Sequence, residues 1–148
     1  MQAKSLHLIY DILAREASSL LSYLSGAWPW SSSKERDSAR QLQSLVDDEM
    51  QAQRRLGETL RKHRMIPPSA RFPMSFTTLH FLALDYLLPK VLNEQQALLV
   101  QLEKDQTQLD EAGKEALEPF LAMKQQHLEQ LTNLTAAHSG SKAVSTIK

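Results

Sequence analysis

Leucines recur every three or four residues along most of this chain, and the stripes they form are cut by short stretches rich in proline, glycine or serine. Leu6, Ile9, Leu13, Leu20 and Leu24 make the first stripe, the period of a helix with one face on a core. It predicts a helix over residues 6–25, ended by Gly26 and the turn Trp28-Pro29-Trp30. Ser32 with Glu35 reads as a capping box. It opens a second helix that runs to about residue 63 with Leu42, Leu45, Val46, Leu56 and Leu60 on one face. Pro67, Pro68 and Pro73 hold residues 64–75 out of helix, because proline lacks the N–H and restricts the residue before it. Ser75 then caps a third helix over 76–109, carrying Leu79, Leu82, Leu88, Leu92, Leu99 and Leu102. Gly113 marks the next break, and a fourth helix over 115–137 carries Leu117, Phe120, Leu121, Leu128, Leu131 and Leu134, with Pro119 in its first turn or at a kink.

Four amphipathic helices that cannot hide their stripes alone pack most simply as an all-α, antiparallel four-helix bundle. Residues 1–138 form that domain, and the small, polar segment 139–148 is expected as a disordered tail. The twelve residues 64–75 could stretch about 40 Å, nearly the length of the second helix at about 1.5 Å per residue. Both a lengthwise crossover between helices two and three and a short hairpin are therefore open.

Composition narrows the function classes. Lysine plus arginine equals aspartate plus glutamate, 17 each, so the net charge is zero. That balance argues against a nucleic-acid partner, whose phosphates call for a basic excess. Arg61, Lys62 and Arg64 suit the C-terminal end of a helix dipole. With no cysteine, disulfides and thiolate metal sites are excluded. No apolar run approaches the ~18 residues of a membrane span, and residues 1–9 do not read as a signal peptide. The expectation is a cytoplasmic protein without membrane or nucleic-acid partners, open to homodimer formation through a helix face.

Each stripe is interrupted once by ionisable chemistry. Glu16 breaks the first, Glu49 the second with Ala52 three residues on, Asp85 the third, and Lys124 with His127 the fourth. An isolated buried charge costs several kcal/mol, so such residues pair with one another or hold a metal. Carboxylates on facing helices with a histidine are the raw material of a carboxylate-bridged di-metal site. Pro89 leaves the carbonyl of Asp85 without its helical donor beside that position. His7, His63, His80 and His138 have no metal-ligand spacing, and Trp28 and Trp30 are expected to plug one end of the bundle. Two placements of Lys124 remain open, an internal ion pair and an ammonium that snorkels to solvent.

In these features, and in the run from Asp48-Glu49 through Leu56-Gly57-Glu58 to Pro67, the chain resembles the ferritin-like superfamily in its rubrerythrin and bacterioferritin style. The resemblance implies a glutamate on helix one, Glu-x-x-His on helices two and four, and a glutamate on helix three. Glu16 and Glu49 match the first two glutamates, Asp85 is a shortened third with Glu94 its rival, and His127 matches the last histidine. Ala52 stands where the other histidine belongs, and Lys124 stands in place of the fourth glutamate. The metal ligands implied are thus a remnant set of Glu16, Glu49, Asp85 and His127, with Lys124 as a charge substitute. A bundle that has lost its oxidase centre and serves as a non-catalytic binding or structural module, without cofactor, is the expected function. The alternative is a metal-binding or redox protein holding iron or another divalent ion in the reduced site.

Overall fold

In the computed structural model, residues 1–26, 36–81 and 83–147 are described, apart from the side chains of 80, 81 and 139–147. The described residues form helices without strands: α1 (Ala3–Ala17), α2 (Leu20–Tyr23), α3 (Arg36–Lys62), a 3-10 helix (Met74–Phe81), α4 (Leu84–Gln106) and α5 (Glu111–Ile147). The capping box at Ser32 and Glu35, the turn at Trp28 and Trp30, and Leu82 lie outside the described residues. None of the described helices is long and apolar enough to cross a membrane.

Hydroxyl chemistry divides the first helix. Ser18 Oγ donates back to the Ala14 carbonyl at 2.8 Å, and Ser19 Oγ caps α2 by accepting from the Ser22 amide at 3.1 Å. Serine pairs of this kind compete with the helical ladder, so the expected helix over 6–25 is two helices. Glu94 of α4 takes the Leu20 amide at 2.5 Å and fixes the break against a neighbour. The third helix also starts later than expected. Residues 74–81 wind as a 3-10 helix, where Thr77 and Thr78 return their hydroxyls to the Met74 and Ser75 carbonyls. The fourth helix starts earlier than expected, because Asp110 Oδ1 accepts from the Gly113 amide at 2.8 Å and caps it. The same carboxylate takes the Gln2 amide at 2.6 Å, tying the start of α1 to that of α5. At the other end α5 stays helical through Ile147, so residues 139–147 continue a helix where a disordered tail was expected.

Two apolar clusters fix the directions of the helices. One gathers α2, the first half of α3, Phe76, the first half of α4 and Leu131 and Leu134 of α5. The other gathers Ile9, Ile12 and Leu13, the second halves of α3 and α4, and the first turns of α5. Thus α1 and α5 run one way, and α3 and α4 run the other. The principal packing pairs are α4 with α5, α3 with α5 and α1 with α3, each antiparallel.

Because α3 and α4 are parallel, the segment joining them must travel the length of the protein. It begins with a tight stop: Arg64 takes φ 60°, while the Arg64 and Met65 amides bond the Arg61 and Leu60 carbonyls, a Schellman arrangement. Pro67 then lies over Gly57, where a Cβ would meet its ring at 3.5 Å, and near Leu13. Further on, the Arg71 amide donates to Ser18 Oγ at 2.9 Å, and Phe72 packs edge-on against Tyr23. The strap therefore climbs along α1 from one apolar cluster to the other. The distance argument left a crossover and a hairpin open; the structure has the crossover.

Candidate functional site

Between the two apolar clusters lies a polar layer built from one level of each long helix. Glu16 follows Leu13 and precedes Leu20. Glu49 lies between Val46 and Ala52, Gln95 between Val91 and Leu99, and Lys124 with His127 between Leu121 and Leu131. All five side chains are buried, Glu16 and Glu49 completely.

Lys124 is the hub. Its Nζ lies 3.0 Å from Glu16 Oε2 and 2.9 Å from Glu49 Oε1, and it also donates to Gln95 Oε1. The ammonium stands 6.0 Å from the centre of the Phe120 ring, the outer limit of a cation–π contact. Lys124 is 2% exposed, so it does not snorkel, and of the two placements the inward one is adopted. Beyond Glu49 the chain of polar groups continues outward. His127 Nδ1 lies 3.8 Å from Glu49 Oε2, and its Nε2 lies 3.3 Å from Oδ2 of the half-exposed Asp48.

The electrostatics are uneven across the layer. Burial pushes the Lys124 ammonium toward deprotonation, but the charges of Glu16 and Glu49 and their hydrogen bonds outweigh it, so its pKa is raised. Burial also pushes Glu49 up, yet Lys124 and His127 together hold its carboxyl below the ordinary value. At Glu16 burial wins: with the Glu49 charge adding to it, the pull of Lys124 is overcome and the carboxyl is raised. Of the two buried glutamates, Glu16 is thus the one that more readily keeps a proton. Several polar atoms here are buried without a hydrogen-bond partner, among them Glu16 Oε1, Glu49 Oε2, Gln95 Nε2 and His127 Nδ1.

Of the remnant ligands expected from the sequence, the structure brings Glu16, Glu49 and His127 together and leaves Asp85 out. Asp85 belongs to the first turn of α4, ten residues and so about 15 Å of helix from the level of Gln95. The rival, Glu94, neighbours that level but caps α2, and its carboxyl is raised by burial. Gln95 is the α4 residue that sequence reasoning missed. Being uncharged, it did not register as an interruption, although it breaks the spacing from Val91 to Leu99. Among the described residues, no group of three or more histidine and carboxylate side chains stands in metal-holding geometry.

Compared with protein-family models, curated proteins and solved structures, the chain finds no match. What stands is an all-helical protein with packed helices around a divided core.

Proposed function

We propose that this chain is an antiparallel four-helix bundle of ferritin-like type whose centre is held by an ion cluster in place of a metal pair, and that it serves as a non-catalytic binding or structural module. The observation that carries the reading is the Lys124 ammonium within 3.0 Å of both Glu16 and Glu49. Ammonium has no lone pair for a metal, and its charge repels a divalent cation from the two carboxylates it occupies. The residues present therefore do not fit a di-metal centre, and no oxidase step is assigned to them. The parallel α3 and α4 joined by a lengthwise strap, and the common level of Glu16, Glu49, Lys124 and His127, support the ferritin-like part of the reading.

Elemental analysis of protein purified without chelators tests it, together with ferrous oxidation assays. The expected result is less than one equivalent of iron per chain and no oxidase activity; two metal ions per chain would overturn the proposal. Lys124→Glu combined with Ala52→His and Gln95→Glu is expected to rebuild a six-ligand set and to make thermal stability depend on added divalent metal.

A second reading keeps a single ion between Glu49 and His127. It is favoured by Glu49 Oε2 and His127 Nδ1, which face each other at 3.8 Å without hydrogen-bond partners. The same elemental analysis separates the two, since this reading expects one equivalent that is lost in His127→Gln.

A further inference from the structure

We propose that the cleft between α3 and α5, outside the buried ion cluster, is a binding site for a small aromatic molecule carrying an ammonium group. The cleft has a volume of about 400 Å³, within the range of small-molecule sites and large enough for one or two rings. It exists because small residues face each other across the two helices. Ala52 of α3 and Ala116 of α5 both line it, where larger side chains would close the gap. Its apolar wall is completed by Leu56, Phe120 and Met123. Phe120 offers an aromatic partner, for which offset or edge-on ring packing is favourable, and methionine adapts to the shape of a guest.

The charged groups of the cleft give it a direction. The Lys124–Glu49 pair sets the register of the two antiparallel helices, so Asp48 and Met123 share one end, while Thr59 and Glu115 share the other. At the Glu115 end Arg55 supplies a compensating charge. Among the described residues, no lysine or arginine lines the cleft at the Asp48 end. The Asp48 side chain is 57% exposed, and among the described residues its engaged oxygen is Oδ2, 3.3 Å from His127 Nε2. The second carboxylate oxygen is left to accept from a guest. A ring bedded on Ala52, Leu56 and Phe120 with an ammonium on Asp48 satisfies both features, whereas an anionic guest would meet Asp48 at one end and Glu115 beside Arg55 at the other. The proposal does not depend on whether the fold is ferritin-like, nor on the metal content of the core.

Benzylamine is the probe, with benzyl alcohol as its neutral isostere and phenylacetate as its anionic counterpart, each titrated into the full chain and followed by amide chemical shifts. Benzylamine is expected to move the resonances of Ala52, Leu56, Ala116 and Phe120, and to bind about tenfold more tightly than benzyl alcohol, the size of one hydrogen bond to a charged group. Asp48→Asn is expected to remove that preference while benzyl alcohol still binds. Ala116→Trp, filling the cleft at a partly exposed position, is expected to abolish both interactions while the rest of the spectrum stays folded. No localised shifts at millimolar probe would overturn the site. Equal binding of the three probes, or benzylamine binding that survives Ala116→Trp, would overturn the assignment of its ligand.

Discussion

Lys124 Nζ and Glu16 Oε2 are 3.0 Å apart across the core, joining the first long helix to the last. Buried pairs of this kind add little against an apolar replacement, but removing one partner leaves a bare charge, at a cost of roughly 3–5 kcal/mol. Lys124→Met is therefore expected to lower unfolding free energy by about that amount at neutral pH. Adding Glu16→Gln and Glu49→Gln is expected to recover most of it. Chemical denaturation at pH 7 measures both, and a loss within about 0.5 kcal/mol, as for ordinary surface changes, would refute the inward ion pair.

The two glutamates are expected to respond oppositely. Glu16 is raised in the folded chain, so its contribution is present below the unfolded carboxylate value and is lost as pH rises through the folded one. Glu16→Gln should gain on the parent as pH increases from 4.5 upward. Glu49 is lowered, so its contribution is present above the unfolded value and disappears as pH falls through the folded one. Glu49→Gln should lose roughly 2 kcal/mol at neutral pH, about one hydrogen bond to a charged group, and the loss should shrink in acid. Denaturation midpoints of both variants from pH 3 to pH 8 decide the matter; parallel profiles would show that the layer titrates as one unit.

Gly57 gives a graded test of the strap. An added Cβ would stand in ordinary contact with Pro67 and Leu13, at 3.5 Å or more, and alanine is favoured over glycine in a helix by up to about 1 kcal/mol. Gly57→Ala should be neutral to stabilising. In Gly57→Leu the atoms beyond a Cβ that already stands 3.5 Å from Pro67 press on the strap, so this variant should lower the melting temperature and speed proteolytic cleavage at residues 66–71. Equal proteolysis of the two variants would show that the strap is not seated there.

Arg64 occupies a left-handed conformation, at φ 60°, where a side chain is strained by roughly 1 kcal/mol. Arg64→Gly is expected to stabilise by about that much, less what glycine gains in the unfolded chain. A destabilised variant by thermal melting would show that the arginine side chain contributes more than its backbone costs.

Much of the buried layer was legible because charge stands out against leucine. Glu16, Glu49, Lys124 and His127 each interrupt a stripe, and a helical stripe has only one core to face. The α4 member was misread for two physical reasons. The 3-10 turn at residues 74–81 uses the same apolar residues as an α-helix would, so the third helix seemed to begin about two turns too soon and Asp85 seemed to lie mid-stripe. Gln95, with a neutral side chain, gave no contrast. The division of the first helix at Ser18 and Ser19 has a local cause in the serine hydroxyls, but it is fixed by a tertiary partner, Glu94, seventy-four residues from the Leu20 amide it accepts from, which no local pattern carries. The cap at Asp110 was written in the sequence as an aspartate three residues before Gly113, but Gly113 itself drew the eye as a helix stop.

The lengthwise strap has a consequence for how the chain comes together. It divides the molecule into two helical hairpins, α1 with α3 and α4 with α5, each antiparallel within itself. The first hairpin contributes Glu16 and Glu49, and the second contributes Lys124, His127 and Gln95. Alone, the first would carry two carboxylates on its sticky face with no counter-ion, and the second an ammonium with the Gln95 carbonyl for an acceptor but no carboxylate. Neither half is complete as a folding unit, and each is the electrostatic template of the other. A chain nicked at Ser69, within the strap, should keep its two fragments associated through the core. The separated hairpins should stay largely unfolded by circular dichroism until they are mixed.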